Sequence, residues 1–146
     1  MSVDDLKGLG LKAIASKNAH LYLWTTNSFM VEAHDLARVW GFEPKTILTW
    51  VKVKQNDLGF PSVAVSMRMG TWYRSATEHA VFCVRGVQRL LGPASPTAYH
   101  WVREAHSVKP EGFYRLVEQQ SPGPRIDVFA RRTRAGWTSW GNEVSA

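Results

Sequence analysis

Residues 20–25, His-Leu-Tyr-Leu-Trp-Thr, are apolar on both alternating faces, the pattern of a central strand covered on both sides in a parallel sheet. Beyond them Phe29, Ala33, Leu36, Ala37 and Trp40 recur at spacings of four, three, one and three, which gathers them on one side of a helix. Asn27 or Ser28 stands where a side chain caps such a helix, Glu32 and Arg38 complement its two ends, and Gly41 follows as a stop. Residues 46–53 form a second β-branched and apolar run. Residues 20–53 therefore predict strand, helix, strand, the crossover unit of a parallel α/β sheet.

Residues 54–77 hold no sustained period and contain Gly59, Pro61 and Gly70, which predicts a long loop of the kind that carries function. A third apolar run, residues 79–85, predicts a strand, and residues 86–106, with Gly86, Gly92, Pro93 and Pro96, predict irregular chain. Pro110 opens a helix bearing Phe113, Leu116 and Val117, and Ser121-Pro122-Gly123-Pro124 ends it. Residues 125–130 predict a fourth strand, followed by a polar and aromatic tail with no required regularity. The whole reads as one α/β domain, residues 1–146, without repeats or low-complexity tracts.

Composition narrows the function. Hydrophobic residues make up 45% of the 146, with seven Trp and six Phe, enough for a core. No run approaches the ~20 apolar residues of a membrane-spanning helix, and Met1-Ser2-Val3-Asp4-Asp5 is acidic where a secretory leader is basic. A cytoplasmic protein is expected. The single Cys83 lies in an apolar run, so it is expected to be an inert core residue, and thiolate-rich zinc sites are excluded.

The net charge of +6 favours an anionic partner such as nucleic acid. Eleven of the eighteen cations are Arg, several beside aromatics, as in Trp72-Tyr73-Arg74; the planar guanidinium there suits both phosphates and bases. Gly8-Leu9-Gly10 has too little chain before it to be aimed by a strand and reads as a surface turn. The five histidines never take the spacing of a zinc-protease helix, and neither a Gly-x-Ser-x-Gly elbow nor a phosphate loop occurs.

Four ordered segments place polar residues near strand ends, where α/β sheets bind ligands. They are Leu21-Tyr22-Leu23-Trp24-Thr25-Thr26-Asn27, Gly70-Thr71-Trp72-Tyr73-Arg74 with Glu78-His79, His106-Ser107-Val108-Lys109-Pro110-Glu111, and Phe129-Ala130-Arg131 leading to Gly136-Trp137 and Trp140-Gly141-Asn142-Glu143. In this order and spacing, over nearly the whole chain, they resemble the MT-A-seventy-like N6-adenine methyltransferases. The resemblance implies a Rossmann-like methyltransferase fold, N-terminally incomplete here, with S-adenosylmethionine as methyl donor.

By the same resemblance, Lys109 meets the methionine carboxylate, Asp127 bonds the ribose, and Arg131 lies beside it. Asn142 and Glu143 close over ribose and adenine, while Trp72, Arg74 and Glu78 face the substrate. That substrate is nucleic acid, with DNA placed ahead of RNA by analogy to compact relatives. The family's Asp-Pro-Pro-Trp tetrapeptide, which holds the target adenine, does not occur in residues 1–146; no two prolines are adjacent. The catalytic residues are thus unassigned. Three accounts of this stand open: a start codon assigned too late, a degenerate fragment, or one piece of a split enzyme whose protein partner supplies that motif and a neighbouring central strand. The alternative function is a non-catalytic nucleic-acid-binding subunit.

Overall fold

In the computed structural model, residues 1–105 and 108–141 are described. Their contacts divide the chain into two compact units: residues 1–89 with 94–103, and residues 90–93 with 104 onward.

The first unit opens with two short helices, α1 (Val3–Lys7) and α2 (Leu11–Ile14), followed by strand β1 (Ala19–Thr25). A 3-10 turn at Asn27–Phe29 runs into α3 (Met30–Val39). The apolar spacing predicted this helix, and it buries Ala33, Leu36 and Ala37 with Trp40 just beyond. Gly41, at a φ of 85°, turns the chain out of the helix in a conformation that side-chain-bearing residues rarely adopt. The predicted side-chain cap does not form.

Strands β2 (Glu43–Gln55), β3 (Pro61–Val65), β4 (Thr77–Arg85) and β5 (Ala98–Val102) complete a five-stranded sheet. The sheet is mostly antiparallel, which corrects the parallel expectation. β1 and β2 run the same way, as a crossover through α3 demands, yet they do not pair. β4 lies between them and is antiparallel to both. Its run Ala80-Val81-Phe82-Cys83-Val84 needs cover on both faces, which a central position provides, but a run apolar on both faces carries no sign of its direction.

Conversely β1, expected in the centre, pairs with β4 alone among the described residues, and all seven of its residues are only part-buried. The expected loop at 54–77 is in part a hairpin, because β2 extends to Gln55 and pairs with β3. The expected irregular stretch 86–106 contains β5, parallel to β2. The core of this unit lies between the sheet and α3, where Val81 and Cys83 meet Leu36, Ala37, Trp40 and Phe42. Burial pushes the Cys83 thiol up to about 12, consistent with an inert core residue.

The second unit consists of α4 (Glu111–Gln120), β6 (Arg125–Val128) and β7 (Trp137–Trp140). β6 and β7 form a parallel pair. The fourth strand was expected in the interior. It is shorter, its Ile126 is 45% exposed, and β7 is its one strand neighbour among the described residues. Among the described residues no helix is long and apolar enough to cross a membrane.

Candidate functional site

Pro110 is the residue from which α4 starts, with φ −66° and ψ 144°, and Lys109 stands part-buried immediately before it. The helix buries Phe113, Leu116, Val117 and Gln120. Two arginines then fix β6 against it. At the helix end, Arg125 Nη2 donates to the Ser121 carbonyl at 2.8 Å and to that of Glu118 at 3.2 Å. At the helix start, Arg134, in the loop after β6, forms a bidentate pair with Glu111, both bonds 2.7 Å. The N-terminus of α4 and the chain leaving the carboxyl end of β6 therefore share one end of this unit. Lys109 precedes the first of these and Arg131 belongs to the second. The positive end of a helix favours a bound anion there.

Between the two arginines lies Asp127. Its Oδ2 accepts a 3.0 Å hydrogen bond from the Tyr114 hydroxyl. Burial raises the Asp127 carboxyl above its ordinary value, while the Tyr114 bond and the Arg134 charge act in the opposite direction. Tyr114 is held on two sides. The Arg134 guanidinium lies 3.9 Å over its ring, and Trp137 meets it edge-on at 5.4 Å while donating its indole N–H to Glu118. Arg131 is exposed. Asn142 and Glu143 lie outside the described residues, as does Ser107.

The turn between β6 and Arg131 is tight. Phe129 takes a φ of 66°, uncommon for a bulky side chain, and Ala130 N–H donates to the Trp140 carbonyl at 3.1 Å. A Cβ on Gly141 would come within 2.7 Å of the Ala130 carbonyl oxygen, so only glycine lets the tail pass this close to the turn.

The residues expected on the substrate side, Trp72, Arg74 and Glu78, lie in the first unit. Trp72 and Tyr73 are each 92% exposed and Arg74 is exposed with them, so Trp72 does not cap the core. The stem of their loop is closed by backbone bonds from Arg68 to Ser75 and from Lys52 to Ala76. Glu78 points elsewhere. Its Oε2 lies 2.8 Å from Lys52 Nζ, which also sits 5.0 Å from the Trp50 ring centre.

On the opposite face His79 links Asn27 Oδ1, 2.6 Å from Nε2, to the Thr49 hydroxyl, 3.0 Å from Nδ1. Burial lowers the His79 pKa. The neutral ring that results is assigned from this network as donating through Nε2 and accepting at Nδ1. Asn27, expected to cap α3, is bonded to His79 instead. The sequence reading passed over Lys52, Tyr114 and Arg134. A lysine between Val51 and Val53 was the one visible signal among them, since a charge inside an apolar strand needs a partner.

Neither of two surface concavities is lined by Lys109, Asp127, Arg131 or Trp72. One, of about 420 Å³, is lined by Arg38, Glu43, Lys45 and Arg85 at the end of the sheet where β1 begins. The other, of about 360 Å³, lies along Glu111, Glu118 and residues 132–135.

Residues 1–143 match the family model described as MT-A70. The class is one of enzymes, methyltransferases acting at adenine N6, and this chain belongs to the MT-A70 family. It is 30% identical to a putative N(6)-adenosine-methyltransferase MT-A70-like protein of Medicago truncatula, covering 99% of this chain and 23% of that protein. It is 27% identical to the human N(6)-adenosine-methyltransferase catalytic subunit METTL3, covering 97% and 24%. It is 26% identical to the type II methyltransferase M.MunI of a Mycoplasma species, covering 99% and 58%. The chain thus spans about a quarter of the two eukaryotic relatives and somewhat over half of the bacterial one.

Proposed function

We propose that this chain is the cofactor-binding part of an S-adenosylmethionine-dependent N6-adenine methyltransferase of nucleic acid, and that it works with a partner segment carrying Asp-Pro-Pro-Trp. The observation that carries the reading is the family match over residues 1–143, together with the grouping of Lys109, Asp127 and the Arg131 loop in one unit. The donor set suits the cofactor. A lysine at a helix start favours a carboxylate, and a part-buried carboxylate whose one described hydrogen bond is on Oδ2 suits a ribose hydroxyl. Bound S-adenosylmethionine would supply the methyl group on its sulfonium. In this reading Lys109 holds the amino-acid end, Asp127 and Arg131 hold the ribose, and Asn142 and Glu143 close over ribose and adenine.

Trp72 and Arg74 grip the nucleic acid, the indole by stacking on a base and the guanidinium by pairing with phosphate. Glu78 acts from behind that loop through Lys52. DNA is placed ahead of RNA because this chain spans 58% of the compact M.MunI and 24% of METTL3. The partner adds a strand along the edge of β1 that does not face β4. Among the described residues β1 pairs with β4 alone and ends the sheet on that side, and an edge strand apolar on both faces is a template for such addition.

The alternative is a non-catalytic nucleic-acid-binding subunit, favoured by the missing tetrapeptide. Calorimetry with S-adenosylhomocysteine separates the two. Heat of binding from the folded chain supports a cofactor site. No heat at millimolar ligand, with salt-dependent binding of oligonucleotides retained, supports the subunit reading. DNA and RNA oligonucleotides of one sequence, compared at a fixed salt concentration, test the choice of substrate.

A further inference from the structure

We propose that Tyr114 is a positioning residue for the cofactor ribose: its hydroxyl holds one oxygen of Asp127 so that the other is presented to a ribose hydroxyl. The inference rests on the cofactor reading above and adds to it a residue on α4 that the family resemblance did not assign.

The geometry is that of a clamp built to aim a hydroxyl. Tyr114 Oη donates to Asp127 Oδ2 at 3.0 Å. The ring behind it is fixed by the Arg134 guanidinium 3.9 Å above one face and by the edge-on contact of Trp137 at 5.4 Å. Each of these is fixed in turn by a carboxylate of the same helix, Arg134 by two 2.7 Å bonds to Glu111 and Trp137 by a 2.8 Å bond to Glu118. Three residues of α4 one turn apart, Glu111, Tyr114 and Glu118, thus act together on β6 and the chain that follows it.

A carboxylate has two acceptor oxygens, and this arrangement occupies one of them. Burial and the Asp127 charge hold the Tyr114 hydroxyl well above the usual phenol range, so it remains a donor at any physiological pH. A group needed only for packing would do as well as phenylalanine. A part-buried hydroxyl aimed at a part-buried carboxylate that has no other described hydrogen bond serves to set that carboxylate's orientation.

The test compares two ligands and three proteins by calorimetry: S-adenosylhomocysteine and its analogue lacking both ribose hydroxyls, with wild type, Tyr114→Phe and Tyr114→Phe/Asp127→Asn. Wild type should prefer the ribose ligand. Tyr114→Phe, whose ring still fits between Arg134 and Trp137, should lose roughly threefold to tenfold in affinity for S-adenosylhomocysteine, the range of one hydrogen bond, and nothing for the deoxy analogue. Adding Asp127→Asn should then remove what preference for the ribose remains. Equal losses for both ligands, no loss for either, or failure of Tyr114→Phe to fold would each overturn the proposal and leave Tyr114 a structural residue. Absence of binding in the wild type would instead overturn the cofactor reading on which the proposal depends.

Discussion

Lys52 Nζ lies 2.8 Å from Glu78 Oε2 with both side chains withdrawn from water, 7% and 17% exposed. An ion pair this buried contributes little net stability when intact, because desolvation offsets its attraction, yet removing one partner leaves a charge with no compensation. Glu78→Ala should therefore destabilise the first unit by about 3 to 5 kcal/mol, and Glu78→Gln by less, since an amide oxygen still accepts from the ammonium. Chemical denaturation of the three proteins measures this. Wild-type stability in Glu78→Ala would show that the pair is open in solution. Loss of nucleic-acid binding in a Glu78 variant is meaningful only at temperatures where that variant remains folded.

Trp72 and Arg74 should behave in the opposite way. Both are exposed, so Trp72→Ala and Arg74→Ala should leave stability within about 0.5 kcal/mol of wild type. In oligonucleotide binding Trp72→Ala should lose about 1 to 3 kcal/mol if the indole stacks on a base. Arg74→Ala should lower the slope of log affinity against log salt by about one, the signature of one lost phosphate contact. Fluorescence anisotropy over a salt series reads both, and unchanged affinity in both variants would remove this loop from the nucleic-acid site.

What the sequence made legible follows from what periodicity encodes. The helical repeat of Ala33, Leu36 and Ala37 located α3, and the run at 79–85 located β4, because burial is written into side-chain spacing. Direction and pairing are not. β4 inserts antiparallel between β1 and β2 and meets β1 through contacts made across 54 to 66 residues of chain, as in the register of Leu21 with Cys83 and Trp24 with Ala80. β5 escaped because Tyr99 and Trp101, although stacked at 4.5 Å, sit among Pro96, Thr97 and His100 in a stretch with little apolar pattern. Lys109, Asp127 and Arg131 were singled out through a resemblance that carries the order of motifs. Tyr114 and Arg134 went unseen, because a hydroxyl one helical turn from a glutamate looks like any solvated helix face until the fold brings Asp127 to meet it.

The chain by itself should not methylate adenine. Residues 1–146 contain no Asp-Pro-Pro-Trp to accept hydrogen bonds from the exocyclic amine and direct its lone pair at the methyl group. Transfer of radiolabelled methyl from S-adenosylmethionine to adenine-containing DNA, by protein free of other methyltransferases and above a no-enzyme control, would sink this prediction together with the need for a partner segment.

Lys109→Ala should weaken S-adenosylhomocysteine binding by about tenfold to a hundredfold, the loss of a charge-assisted contact worth ~1.5 to 3 kcal/mol. Asp127→Asn should weaken it less, because the amide oxygen still accepts one hydroxyl. Calorimetry on the two variants and wild type decides the assignment: equal affinities in all three would show that neither side chain touches the ligand.

Asp127 also links the proposed cofactor site to stability. Burial raises its carboxyl above the ordinary 3.8, against the opposing pull of Tyr114 and Arg134, so the folded chain binds this proton more tightly than the unfolded chain does. The stabilisation from that proton is fully present below the unfolded pKa and is lost as pH rises through the folded one. At neutral pH the ionised, part-buried carboxylate is therefore a net cost to the fold. Asp127→Asn, which cannot ionise and still accepts from Tyr114, should melt higher than wild type at pH 7, with the difference shrinking as pH falls through the raised folded-state value towards 3.8 and levelling off below it. Thermal melts of both proteins across that range read the difference directly. A gap that stays constant with pH, or a lower melting temperature for Asp127→Asn at pH 7, would mean that Asp127 is better solvated or better paired than its place beside Tyr114 implies.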